Sequence, residues 1–229
     1  MAPMVSLFQL FEFSYQDGVL FFDRSGALAR RLRELFPGLV AGTYTLEQRD
    51  FSLPGEDLDL FFGIRLCRIQ TLAPAHDKFP KMAASFVQAI SEVFEITEIK
   101  DFRYRHVLGK PCASHEEAQA LMWPMVSVET KAKLDSLKEP RRWDALQVEF
   151  TIGHFACQSR VAVIDMVPHR SLVTADMPAN APLPHITFHV DFKGSVPIDV
   201  ADFDAAAFIQ KVRKDHSAEI LGKLAPHLV

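Results

Sequence analysis

Residues 77–110 constrain the fold more than any other part of the chain, because a helical pattern passes directly into a strand pattern. Apolar residues recur at steps of three and four over residues 79–94, which gives one face of a helix of about five turns. After Thr97 the pattern changes to a period of two, and Gly109 and Pro111 end it. The helix is therefore expected to pack back across the sheet that contains this strand. Its predicted buried stripe consists of Phe79, Met82, Ala83, Phe86, Ile90, Val93 and Phe94.

The first forty residues predict a strand followed by a helix. Residues 4–15 favour a strand, and either Asp23 or Ser25 can cap the helix that follows. The apolar spacing carries this helix to Pro37, and Gly38 is its expected stop.

Two further strands, 43–53 and 58–72, are predicted on either side of the turn at residues 54–57. The turn has a physical basis, because Pro54 sets one backbone dihedral and Gly55 can supply the unusual one. With the helix and strand of residues 77–110, the first half has the order β-α-β-β-α-β, which is the ferredoxin-like order.

The second half predicts helix, strand, strand, strand and helix. These elements are a helical region at 114–137 broken at Pro124, strands at 146–153 and 155–166, a proline-rich loop at 167–184, a strand at 185–192, and a helix from Asp202 or Asp204 to about Leu224. The predicted fold class is thus α+β, with two similar halves at 1–110 and 111–229. A mainly antiparallel sheet would carry helices on one face, and the two halves could share one continuous sheet.

Composition excludes several classes of protein. Hydrophobic residues make up 48% and there are 19 Phe, as in a folded globular chain. The net charge of −4 creates no global field for nucleic acid or an anionic membrane, and no run is long and apolar enough for a membrane span. Three widely spaced cysteines, without a paired motif, predict neither disulfides nor zinc. A cytoplasmic protein without a cofactor is the expectation.

Three segments resemble a sporadically distributed family of uncharacterised prokaryotic proteins of about this length, defined by sequence alone. They are LRELFPGL at 32–39, EIKDFRY at 98–104 after the long helix, and the closing region from ITFHVDF at 186–192 to Leu224. The family carries no established activity or catalytic residues. The resemblance therefore implies an organisation of the chain and no particular chemistry.

One segment suggests an enzyme. His185 and Thr187 resemble the His-x-Thr signature of two-histidine phosphodiesterases, in which two imidazoles act as general acid and base while hydroxyls bind phosphate oxygens. Such enzymes need two of these motifs, and the second candidate here is His169 with Ser171. Only one loop separates the two motifs, which favours the alternative that His185 simply begins a strand and that His169 is a solvated loop residue.

The same strand offers a weaker metal hypothesis. His185, Thr187, His189 and Asp191 share one strand face, and His189 and Asp191 lie about 7 Å apart along it. A third ligand would complete a site. The alternative is the solvated side of an antiparallel sheet, and no metal is predicted.

The strand ending at Leu108 suggests a binding site. Arg103 and Arg105 point to one side of the strand, and Tyr104 and His106 point to the other. Arginine binds phosphate or carboxylate groups well and tyrosine can stack on a base, so a sheet that exposes them could bind a nucleotide or RNA. The alternative role for the arginines is a structural salt bridge to one of three carboxylates: Asp50, Glu98 or Asp101.

The leading functional hypothesis is a non-enzymatic binding or accessory protein that acts through a macromolecular partner or by self-association, with a homodimer as the simplest form. Its basis is the lack of a coherent catalytic set together with more Phe than the helical stripes require. Two other classes remain: a two-histidine phosphodiesterase or nuclease, and a nucleotide or small-ligand binder in the cleft between the halves.

Overall fold

The computed structural model describes residues 4–16, 18–72, 77–126, 145–152, 154–167, 181–217, 219 and 222–223. Within these residues the chain forms a mixed α+β structure with one antiparallel sheet. None of the described helices combines the length and apolar character needed to cross a membrane.

The described strands all join a single sheet. They are β1 (Val5–Tyr15), β2 (Val40–Tyr44), β3 (Gln48–Leu53), β4 (Leu58–Gly63), β5 (Leu66–Thr71), β6 (Glu98–Pro111), β7 (Ala145–Ile152), β8 (Phe155–Met166), β9 (Leu183–Gly194) and β10 (Ile198–Asp199). Their order is β2-β3-β4-β5-β1-β6-β9-β8-β7, and β10 pairs with the start of β6. The sheet is continuous because β6 pairs with β1 on one side and with β9 on the other.

Four α-helices are described, and all pack on one face of this sheet. They are α1 (Val19–Leu35), α2 (Phe79–Phe94), α3 (His115–Met122) and α4 (Ala205–Lys211). α2 packs between α1 and α4, and α3 lies against β8 and β9. A short π-helical segment, Val212–Ser217, continues α4.

Strand alternation separates the two faces. Phe11, Tyr104 and Phe192 are directly opposite one another on β1, β6 and β9, and all three are fully buried beneath the helices on what we name the helix face. Their neighbours Leu10 and Arg105, with Asp191, form the matching row on the opposite side, which we name the outer face.

The periodicity of residues 77–110 predicts α2 and β6 correctly. Phe86 and Ile90 are fully buried, and the Phe86 ring meets Phe13 of β1 edge to face with centroids 6.4 Å apart. Met82 and Val93, which flank the stripe, are only half-buried. The helix orientation follows from this row of apolar contacts.

The first helix begins earlier than the sequence predicts. It starts at Val19 after Gly18, so neither Asp23 nor Ser25 is its cap. Phe21 explains the difference, because its ring is 1% exposed and packs on Phe62, which extends the buried stripe by one turn. The helix ends at Leu35, two residues before the predicted end at Pro37, and Gly38 follows with a φ of 90°, in the region that favours glycine.

Two long strands predicted in the first half are each folded into a hairpin. Residues 43–53 fall in β2 and β3, and residues 58–72 fall in β4 and β5, so four strands separate α1 from α2. The turn at 54–57 forms, but its left-handed residue is Asp57 with a φ of 48°, and Gly55 has no positive φ. The predicted role of Gly55 in that turn is therefore wrong, while Pro54 does begin it.

Strand β6 runs through the glycine that was expected to end it. A Cβ at Gly109 would lie 2.5 Å from Leu7 Cδ1 and 3.0 Å from the carbonyl oxygen of Ile186, so the strand needs glycine there. The register of β1 with β6 shifts between Ser6 and Phe8, which places a bulge opposite this close contact.

In the second half both predicted helix starts, at Ser114 and at Asp204, are correct, and some other boundaries differ. Ser114 accepts a hydrogen bond from the Glu117 backbone nitrogen, and Asp204 does the same for Ala207, so both serve as N-caps. Strand β9 begins at Leu183 and ends at Gly194. The predictions for residues 127–144 and 168–180, and for most of the final helix after residue 217, concern positions outside the described residues.

Candidate functional site on the outer face

A cluster of two arginines around one carboxylate lies at the centre of the outer face. Arg103 Nε donates to Asp191 Oδ1 at 2.7 Å and to Oδ2 at 3.0 Å, and its Nη2 also contacts Oδ2. Arg105 donates to Oδ2 from Nε at 3.2 Å and from Nη2 at 2.8 Å. The carboxylate side chain is 8% exposed, whereas the two arginines are 29% and 36% exposed.

This geometry stabilises the charged form of the acid. Burial alone would raise the pKa of Asp191, but the hydrogen bonds and charges of Arg103 and Arg105 outweigh it and hold that pKa below its usual range. The hydrogen bond to Asp191 also raises the pKa of Arg103. The carboxylate is thus ionised at neutral pH and holds both guanidinium groups in fixed positions.

Strand pairing explains why these residues meet. Arg105 is directly opposite Asp191 in the β6–β9 ladder, and Arg103 is opposite Lys193 one pair further on. Arg103 also faces Glu12 across the β1–β6 ladder. Asp191 was not among the carboxylates expected from the sequence to pair with the arginines, so that part of the alternative was wrong; only the pairing of β6 with β9 identifies the partner.

Tyr104 and His106 do not belong to this site. Both point to the helix face, where the Tyr104 hydroxyl donates to Gln9 Oε1 at 3.0 Å and His106 Nε2 lies 3.1 Å from Ser6 Oγ. They are 0% and 5% exposed, so neither can stack on a ligand at the surface. Burial lowers the pKa of His106 to about 3, with Arg213 as a second cause.

A shallow cavity of about 430 Å³ adjoins the cluster. Arg103, Asp191 and Lys193 line one side of it, and residues of β7 and β8 such as Glu149 and Gln158 line the other. It does not lie in a cleft between two halves, because the β6–β9 ladder joins residues before and after 110 directly. The expected cleft is therefore replaced by a depression on a continuous sheet.

The histidine motif is closed to a substrate. His185 and Thr187 are 0% and 1% exposed, and the Thr187 hydroxyl donates to the Ala162 carbonyl at 3.0 Å. His185 Nδ1 lies 2.8 Å from the Leu183 carbonyl oxygen, and its buried Nε2 has no hydrogen-bond partner among the residues that the structure describes. The second predicted motif, at 169 and 171, lies outside the described residues.

His189 and Asp191 do not form the start of a metal site. His189 Nε2 lies 3.0 Å from Thr187 Oγ, and Asp191 is occupied by the two arginines. Burial lowers the pKa of His189 to about 4, with Arg160 and Arg105 contributing. Within the described part of the chain, no group of three or more potential ligands is close enough to hold a metal ion.

No family model matches the chain, and no curated protein matches it at a significant level.

Proposed function

We propose that this protein is a non-enzymatic binding protein that docks a macromolecular partner on the outer face of its sheet. The observation that carries the proposal is the Arg103–Asp191–Arg105 cluster, which fixes two arginines on a face without described helices. Its partner would be a protein with an acidic surface.

The arginines are prepared for binding before any partner arrives. Asp191 engages Nε and Nη2 of both guanidinium groups, so the Nη1 groups of Arg103 and Arg105 are left outside the cluster. Fixing a long side chain in advance lowers the entropy cost of binding, and arginine is enriched at the energetic centres of interfaces.

The cations of the outer face offer contact points for acidic groups of a partner. They are Arg103, Arg105, Arg160 and Lys193, and carboxylates lie among them at Asp101, at Glu98, at Glu12 opposite Arg103 and at Glu149 on β7, so recognition would depend on individual charge pairs and not on the net charge of the face. Complementary charge of this kind steers encounter and fixes orientation more than it adds affinity.

Charge reversal at two exposed cations tests the proposal. Tagged protein carrying Arg160→Glu and Lys193→Glu should lose the partners that the wild type captures from an extract of its host cells, treated with nuclease to remove nucleic acid. A matched control carries Arg30→Glu and Lys81→Glu, exposed positions on α1 and α2. If the two variants capture the same partners equally well, docking on the outer face is refuted. Partners that the wild type captures from an untreated extract but not from a nuclease-treated one would indicate binding through nucleic acid.

The cavity supports a second candidate, a binder of a small anionic ligand. Arg103 and Lys193 place two cations at its rim, and Gln158 adds a hydrogen-bonding group. Nucleotides and other phosphate compounds would bind here in the micromolar range or tighter, measured by calorimetry, and Lys193→Ala would weaken them. If calorimetry detects no heat of binding with any of these compounds, the small-ligand hypothesis is wrong.

We also infer a ferredoxin-like core in the first half. The strands β6-β1-β5-β4 are adjacent in that order, with α1 in the connection from β1 and α2 between β5 and β6. The hairpin β2–β3 would then be an addition at the edge. A second, similar half, membership of the resembling family and a cytoplasmic location remain proposals, the last supported by three unpaired buried cysteines.

A further inference from the structure

Strand β7 forms one edge of the sheet in the described part of the chain. It pairs with β8 over its whole length without a register shift. Half of the backbone N–H and C=O groups of an edge strand point away from the sheet and can pair with another strand. The eight residues of β7 therefore present a straight template for strand addition.

The residues of β7 offer little protection against such pairing. Proteins commonly protect an edge with lysine, proline or a bulge. β7 has the sequence ALQVEFTI, with a single charge at Glu149 and no proline. The opposite edge, β2, differs because its register with β3 shifts between Ala41 and Tyr44.

We propose that two copies of this chain associate through β7, paired antiparallel with a two-fold axis at Val148. The two ten-stranded sheets would then become one continuous sheet. An isologous contact of this kind needs only one complementary patch per chain. The partner is therefore a second copy and not an unrelated strand.

The register follows from three conditions. Two residues directly opposite each other in an antiparallel pair project their side chains to the same face of the sheet. An odd-numbered residue of one copy therefore cannot lie opposite an even-numbered residue of the other. A two-fold axis at Glu149 would place two carboxylates opposite each other, which is destabilising. An axis at Val148 avoids this contact. It pairs residues 145–151 of one copy with residues 151–145 of the other, which is the longest pairing that both conditions allow.

The resulting pairs are complementary on both faces. On the helix face Leu146 would lie opposite Phe150 and Val148 opposite Val148, which joins half-buried apolar side chains and covers a valine that is 45% exposed. On the outer face Gln147 would lie opposite Glu149. These two already form a 3.2 Å hydrogen bond within one strand, so the amide is placed to donate to the carboxylate of the second copy.

The contact is small, and its strength follows from its size. A single strand pair of this length buries less than the roughly 1,200 Å² of a standard interface, which places it among weak, reversible associations. We expect a dissociation constant on the order of 10 μM. The dimer therefore forms at high local concentration and separates on dilution.

Sedimentation over a concentration series provides the first test. The wild-type mass should rise from 25.8 kDa toward twice that value as concentration increases through the micromolar range. Val148→Lys should remain monomeric with an unchanged far-UV spectrum. The control Val40→Lys, at a similarly exposed position on β2, should dimerise as the wild type does. A wild type that stays monomeric at about 200 μM, or loss of the dimer in the β2 control alone, would overturn the proposal.

A disulfide tests the register directly. Facing residues in an antiparallel pair have Cα atoms about 4.5–5.5 Å apart, within the range of a disulfide. Val148→Cys should form a covalent dimer on mild oxidation, because the three native cysteines are buried. Gln147→Cys would be offset from its own copy and should cross-link far more slowly. Faster cross-linking at residue 147 would contradict the two-fold axis.

This inference is independent of partner docking on the outer face. Arg160→Glu with Lys193→Glu leaves β7 unchanged and should still dimerise, whereas Val148→Lys should still capture the partner. Failure of one experiment therefore does not decide the other.

Discussion

Replacing Asp191 with asparagine should destabilise the protein by about 2–3 kcal/mol at neutral pH. The carboxylate is nearly buried and accepts hydrogen bonds from both Arg103 and Arg105. Asparagine keeps the shape but removes the charge, so the two guanidinium groups would repel each other across a neutral amide. Since each arginine is about one third exposed, water recovers part of the loss, and the figure stays below the ~3–5 kcal/mol of a fully buried pair.

Urea denaturation followed by circular dichroism measures this loss. The control is Asp59→Asn, an exposed aspartate on the same sheet face that accepts from Gln70 at 3.2 Å, where the loss should stay below about 0.5 kcal/mol. Because the folded pKa of Asp191 lies below its unfolded value, its contribution is present above the unfolded pKa and disappears as the pH falls through the folded pKa. The difference between wild type and Asp191→Asn should thus shrink below about pH 4. A loss under about 0.5 kcal/mol at pH 7 would refute the cluster as a structural unit.

Four further outcomes follow from the structure. Phe86→Ala, at a fully buried position of α2, should cost about 3–5 kcal/mol in urea melts, whereas Phe22→Ala, 60% exposed on α1, should cost far less. A loss under about 1 kcal/mol for Phe86→Ala would contradict the orientation of α2. Gly109→Ala should cost about 1–3 kcal/mol because its methyl group meets Leu7 and Ile186, while Gly26→Ala, with nothing within 4 Å, should be neutral or stabilising. The pKa values of His106 and His189 are lower in the folded than in the unfolded protein, so stability should fall as the pH drops below about 6.5. In thermal melts the stability of His106→Gln should fall less steeply with pH than that of the wild type. An equal pH dependence would exclude His106 as a cause. Purified protein should not hydrolyse RNA or cyclic phosphodiesters, and turnover that His185→Ala abolishes without unfolding would establish the enzymatic alternative.

The parts of the fold that the sequence predicts are those with a long, regular apolar pattern. α2 and β6 follow from such a pattern, and Gly38 indicates correctly that α1 ends shortly before it, at Leu35. The turn at Ile64 and Arg65 was missed although Gly63 stands directly before it, because apolar residues continue on both sides of that glycine as in one long strand. Local patterning therefore locates elements better than it locates the turns between them.

The candidate site depends on contacts that a single sequence does not contain. Arg103 and Asp191 are 88 residues apart, and they meet only because β6 and β9 are neighbours in one register. Alternation predicts correctly that the two arginines share a face and that Tyr104 and His106 share the other. Alternation does not tell which of the two faces the helices cover. Because they cover the face of Tyr104 and His106, these two residues are buried and do not belong to the site.

Docking of a partner on the outer face around Arg103 and Arg105 is tested by the dissociation constant of a captured partner, measured for the wild type and for the two charge-reversal variants. Arg160→Glu with Lys193→Glu should weaken binding by about tenfold or more, while Arg30→Glu with Lys81→Glu should change it by less than about twofold. Equal dissociation constants for the two variants would show that the partner does not dock on the outer face.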